Sequence, residues 1–102
     1  MIIYYRSGCY SSIKSLKWLE VHGVLCKKSR IEQVTKENLL KIVALTDNGI
    51  MDLLKRKADP RTQSKIEDIQ EMSFNQVLEY LSHHSELLRT PILVSQDKLL
   101  IG

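Results

Sequence analysis

Apolar and polar positions change period several times along this chain, and the changes divide it into elements. Ile2-Ile3-Tyr4-Tyr5 is a continuous apolar, β-prone run that predicts a buried strand. From residue 11 to residue 22 apolar side chains recur at helical spacing. Ile13, Leu16 and Leu19 mark the inward face, and Trp18 and Val21 widen it. His22-Gly23 is helix-ending chemistry. Residues 24–28 then read as a second strand, and strand, helix, strand with a right-handed crossover predicts a parallel pair.

From residue 35 to residue 85 only helical periods occur. Thr35 is placed to cap a helix carrying Leu39, Leu40, Ile42, Val43 and Leu45, and Thr46-Asp47-Asn48-Gly49 is turn chemistry. Ile50, Leu53 and Leu54 predict a short helix ending near Lys57, and Ala58-Asp59-Pro60 breaks it, because a residue before proline disfavours the helical region. Residues 61–70 are polar, with room for a short helix at 65–70. Ser73 followed by Gln76 is a capping-box signature for a last helix whose stripe is Phe74, Val77, Leu78 and Leu81. Two apolar runs, 92–94 and 99–101, flank Ser95-Gln96-Asp97-Lys98 and predict an antiparallel hairpin. The assembled order, βαβ, helices, ββ, is that of an α/β protein with a mixed sheet.

Composition narrows the setting. A chain of 102 residues, 43% hydrophobic and 26% charged, is one domain able to bury a core without disulfides. Two cysteines make no disulfide framework, and a reducing cytoplasm is the expected compartment. The apolar start is too short for a signal peptide, and no run approaches a membrane span. The net charge of +3 is modest but uneven: five basic and two acidic residues lie between Asp52 and Lys65, and Lys27-Lys28-Ser29-Arg30 forms a second basic cluster. Such runs read either as solvated faces or as a docking patch for an acidic surface.

Candidate chemistry centres on Cys9, which follows Gly8 and stands where a helix begins. Unpaired backbone N–H groups and the helix dipole stabilise a thiolate there. Ser12 can reach back to the sulfur, and Arg6 and Lys14 add positive charge. One reading is a low-pKa monothiol or the relic of a redox pair; the other is a small buried cysteine beside an N-cap serine. Cys26 reads as a small core or edge residue of the second strand. Gly49 is a helix-end glycine or a surface that a partner approaches closely. His83-His84 point about 100° apart on a helix and have no Cys or carboxylate at ligand spacing, so no metal site is expected.

The strand–Cys–x–x–Ser–helix start, the helical block and the Thr-Pro before a terminal hairpin occur here in one order. Together with Trp18-Leu19-Glu20, Leu45-Thr46-Asp47-Asn48-Gly49 and Leu87-Leu88-Arg89-Thr90-Pro91-Ile92, they resemble the thioredoxin-like family of ArsC arsenate reductases and Spx regulators. The chain looks closest to the Spx type. The resemblance implies one thioredoxin-like domain over residues 1–102, with a helical insertion at about 35–85 and without the helix that the family carries after its last strand. Pro91 would be a cis-proline facing the Cys9 loop. The partner would be the C-terminal domain of the RNA polymerase α subunit, met through Gly49, Arg56 and Lys57, in a response to thiol or oxidative stress. No cofactor, no membrane and no direct sequence-specific DNA binding are implied.

Two positions depart from that family. Ser12 stands in place of a second cysteine, and Thr90 stands where reductase-type members have an arginine. Three functions therefore remain open. The first is an Spx-like regulator, which would not be an enzyme. The second is a monothiol ArsC-like reductase coupled to glutathione or glutaredoxin, with Cys9 as nucleophile. The third is a catalytically silent paralogue.

Overall fold

Residues 1–102 are all described by the structure, a computed structural model. Four strands, β1 (Ile2–Tyr5), β2 (Lys27–Arg30), β3 (Ile92–Val94) and β4 (Leu99–Ile101), form one sheet in the order β2-β1-β3-β4. The β1–β2 pair is parallel and the β3–β4 hairpin antiparallel, as the sequence pattern predicts, and β3 also pairs antiparallel with β1. Helix α1 (Tyr10–Val21) makes the β1-to-β2 crossover. Helices α2 (Lys36–Ala44), α3 (Pro60–Ile69) and α4 (Phe74–His83) lie in the chain between β2 and β3.

Strand alternation sends residues to two different environments. The cross-strand row Tyr4–Ile92–Ile101 faces the main core, where Leu39, Ile42, Val77, Leu78 and Leu81 are buried. The row Ile3–Leu93–Leu100 faces α1. Ile3 and Leu19 are buried there, but Ile13, Trp18, Val21 and Leu100 are exposed. An apolar groove of about 320 Å³ runs between Trp18, Leu19, Pro91, Leu93 and Leu100. The face predicted for α1 is thus corrected: Leu19 and the polar Ser12 are its buried residues, while Ile13, Trp18 and Val21 have too little packed opposite them to be covered.

Local hydrogen bonds account for several boundaries. Thr35 and Ser73 both form complete capping boxes, with Asn38 and Gln76 respectively. Asp59-Pro60 starts a helix where the sequence suggests a break. Asp59 accepts the Thr62 N–H at 2.8 Å, and Pro60 occupies the first turn, where its missing N–H leaves nothing unpaired. The second strand lies at Lys27–Arg30 and not at residues 24–28; Leu25 is almost fully exposed, and burial resumes at Ile31 and Val34. Its charged side chains keep this sheet edge from pairing with another chain. The helix expected from Ile50 is a 3-10 turn, Gly49–Leu53. It stops because Leu54 is drawn into an antiparallel bridge with Leu88. In that bridge the Lys55 N–H donates to Leu87 O at 3.0 Å and the Arg89 N–H to Leu53 O at 2.8 Å.

Candidate functional site

Gly8 takes a positive φ of 79°, which turns the chain sharply after β1 and delivers Cys9 to the N-cap of α1. The Cys9 side chain caps nothing, so its sulfur is left facing the loop. Ser12 is fully buried beneath it. Its Oγ accepts the Arg6 N–H at 3.1 Å, and its hydroxyl is close enough to favour the Cys9 thiolate. This corrects the N-cap reading of Ser12, because the cap position belongs to Cys9 itself.

The other side of the sulfur meets Thr90, across the cis Thr90–Pro91 bond. Thr90 Oγ1 donates to Cys9 Sγ at 3.4 Å, and the protonated thiol faces Thr90 O at 4.0 Å. Burial pushes the thiol pKa up. The Ser12 and Thr90 hydroxyls and the N–H groups of Ser12 and Ser11 outweigh burial and hold it at about 7. An ordinary thiol titrates near ~8.5, so about half of Cys9 is thiolate at neutral pH.

Around the sulfur lies a cavity of about 310 Å³ lined by Arg6, Lys55, Arg56, Lys57, Arg89, Thr90 and Gly102. No Asp or Glu side chain lines it, and none of its five cations belongs to a side-chain ion pair. Arg6 donates to the carbonyls of Ser85 and Leu88, and Arg89 to those of Asp52 and Gly102, so both keep their net charge in place. Burial and the neighbouring Arg6 charge lower the pKa of Lys55, and Asp59, Glu86 and then the Cys9 thiolate oppose them. Lys14, named from the sequence as a nearby charge, instead stands over the Tyr10 ring.

The sequence pattern of the ArsC family matches residues 4–102. The chain belongs to the ArsC family. Across its whole length it is 35% identical to the regulatory protein MgsR of Bacillus subtilis, of which it covers 82%. It is 26% identical to the global transcriptional regulator Spx of Lactiplantibacillus plantarum, again over the whole chain and 78% of the relative. Among solved structures, an arsenate reductase from Vibrio cholerae superposes with a TM-score of 0.82 at 21% identity, covering 99% of this chain and 87% of the other. That likeness shows a shared thioredoxin-like fold.

Within this ArsC-family fold the predicted site residues are only partly gathered. Cys9, Arg56 and Lys57 line one cavity, and Ser12 lies beneath it. Pro91 lines the apolar groove on the α1 side, while its neighbour Thr90 is the residue that touches the sulfur. Gly49 begins the 3-10 turn at a φ of 76°, outside the thiol cavity. Its neighbour Asn48 lines an adjoining cavity that shares Arg56 and Arg89 with the first. Cys26 precedes β2 at the far end of the sheet, half-buried. Lys55 belongs to the basic run read from sequence, but its place beside the thiol and the contact of the Thr90 hydroxyl with the sulfur are not legible there. The Thr-Pro pair ahead of the hairpin is the available signal for Thr90, and the basic run from Asp52 to Lys65 is the one for Lys55. No three His, Cys, Asp or Glu side chains converge as a metal site, and no helix is long and apolar enough to cross a membrane.

Proposed function

We propose that this ArsC-family chain is an Spx-type transcriptional regulator that docks on the C-terminal domain of the RNA polymerase α subunit. The observation that carries the reading is the exposed pair Arg56 and Lys57, which form no salt bridge and are held beside Cys9 by the Leu54–Leu88 bridge. Such an exposed basic patch suits an acidic partner surface. The names of the relatives, regulatory protein MgsR and global transcriptional regulator Spx, support the same class. Gly49, at the start of the same 3-10 turn, extends the docking surface, and Cys9 links it to thiol stress. Docking on polymerase places the protein in the cytoplasm.

Calorimetric or NMR titration with the isolated α C-terminal domain tests this. Saturable binding is expected, lost in Gly49→Arg and in Arg56→Ala/Lys57→Ala and kept in Cys9→Ala. A folded protein that shows no binding refutes the reading.

One observation favours a second reading. A thiol at about 7 is competent as a nucleophile, so the chain could act as a glutathione- or glutaredoxin-coupled reductase of the ArsC type. Against it, the cation expected next to the sulfur is the neutral Thr90. Arsenate-dependent oxidation of glutathione by the purified chain, with and without glutaredoxin, separates an enzyme from a regulator or a silent paralogue.

A further inference from the structure

The two edges of the sheet differ. Edge strand β2 carries Lys27, Lys28 and Arg30, whereas the opposite edge, β4, is Leu99-Leu100-Ile101 and has no charge. Charged side chains keep an edge from pairing, and β4 lacks them. Hydrogen bonds of the β3–β4 hairpin fix which backbone groups of β4 are free. The Ser95 N–H donates to Lys98 O at 2.9 Å and the Gly102 N–H to Pro91 O at 2.8 Å, so Lys98, Leu100 and Gly102 turn their backbone groups towards β3. Leu99 and Ile101 alternate with them and turn theirs to the outer edge, where no strand pairs with β4. Leu100 itself is 68% exposed. It stands between the groove that holds Trp18 and Leu93 and a second apolar groove of about 350 Å³ that reaches Met1.

We propose that β4 is a self-association surface, through which two copies of this chain pair antiparallel into one continuous sheet, with Leu100 opposite the partner's Leu100. A two-fold axis at Leu100 is the register in which all three residues of the strand find partners. Leu99 then faces the partner's Ile101 and exchanges both N–H···O bonds with it. Ile101 does the same with the partner's Leu99, so the outward-pointing groups of both strands are satisfied. This register also carries both side-chain rows across the axis. The row Ile3–Leu93–Leu100 runs on into the partner's Leu100 and the partner's Leu93, and the row Tyr4–Ile92–Ile101 into the partner's Leu99 and the partner's Val94. Every cross-strand pair so formed is apolar. Charge does not oppose the contact, because the cavity of about 330 Å³ beside β4 holds Asp47, Asp52, Arg56 and Arg89, which balance. At the β2 edge two copies would instead bring like charges together.

Three paired residues on each side make a small interface, so the dimer is expected to dissociate between about 10 μM and about 1 mM. Sedimentation equilibrium of the intact chain in reducing buffer tests this directly. The mass should rise from one chain to two across that range, and a single-chain mass at about 1 mM overturns the proposal. Leu100→Glu sets two carboxylates opposite each other at a position exposed enough for the fold to accept them. It should weaken association by about tenfold or more. A folded Leu100→Glu protein that associates as well as wild type uses another surface, and the proposal fails.

Cross-linking tests the register. In a Cys9→Ser/Cys26→Ser background, Leu100→Cys places two thiols across the axis. Opposed residues that exchange no hydrogen bonds have Cα atoms about 4.5 Å apart, within the roughly 4.4–6.8 Å that a disulfide spans. Lys98→Cys is the control. It lies on the same face of the strand, but the register sets its two copies four residues apart, or about 14 Å. Mild oxidation should link Leu100→Cys into a covalent dimer about tenfold or more faster than Lys98→Cys, and equal rates overturn the proposal. Neither measurement involves polymerase, so the outcome is independent of the function proposed above.

Discussion

Replacing Ser12 by alanine probes how this fold makes a thiolate. Ser12 is fully buried, accepts the Arg6 N–H at 3.1 Å and lowers the Cys9 pKa through its hydroxyl, so one small side chain acts on both the loop after β1 and the thiol. A hydrogen bond to a charged group is worth roughly 1.5–3 kcal/mol, and about 1.4 kcal/mol corresponds to one pKa unit. Thr90 and the Ser11 and Ser12 N–H groups remain in the variant and retain part of the effect. The Cys9 pKa is therefore expected to rise by about one unit, from about 7 towards about 8. At pH ~7 the thiolate fraction falls from about one half to about one tenth.

The assay is the pH dependence of Cys9 alkylation by iodoacetamide in a Cys26→Ser background, with the midpoint read as the pKa. The midpoint matters more than the rate at one pH, because a more basic thiolate is also intrinsically more nucleophilic. The orphaned Arg6 N–H costs about 1–3 kcal/mol of stability, so circular dichroism must show a folded variant. A folded Ser12→Ala protein whose thiol still titrates at about 7 refutes the assignment of Ser12 as a thiolate donor.

Three further outcomes follow from the same geometry. Because the folded Cys9 pKa is depressed, its stabilising contribution is full above the unfolded value of ~8.5 and is lost as pH falls through about 7. Urea unfolding of wild type against Cys9→Ser should show a difference that grows by on the order of 1 kcal/mol between pH ~6 and ~9, after discounting for partial exposure; a flat or falling difference refutes it. Ser12→Cys puts a second thiol in contact with the first, so mild oxidation should form an internal disulfide that dithiothreitol reverses, whereas two thiols that stay free would contradict the placement of residue 12. Leu39→Ala, at a fully buried position in the main core, should lower unfolding free energy by about 2–5 kcal/mol, and a neutral result would contradict its burial.

Short-range physics is where the chain could be read directly. A capping box needs only residues three apart, so Thr35 with Asn38 and Ser73 with Gln76 lie where local pattern puts helix starts. The hairpin of β3 and β4 follows from two apolar runs and a polar turn, and Cys9 reaches a helix N-terminus because Gly8 and the periodicity after it are adjacent in sequence. Even at this range one signal was ambiguous. Asp59-Pro60 can end one helix or begin the next, and the Thr62 N–H decides for the beginning.

Strand register and the make-up of the thiol cavity were decided only by tertiary contacts. Polar Lys27–Arg30 becomes β2 because an edge strand may be charged, and because Ile31 and Val34 just beyond it are the residues the core takes in. Half of α1's apolar stripe stays exposed because burial depends on what lies opposite, and helical period carries no information about that. Arg6, Cys9, the Lys55–Lys57 run and Arg89-Thr90 are separated by tens of residues. They meet because β3 pairs with β1 and because Leu54 pairs with Leu88. Sequence placed a cysteine where a thiolate is favoured. Long-range backbone pairing surrounded it with cations and set Thr90 against the sulfur, since only the closed sheet brings those segments within hydrogen-bonding distance.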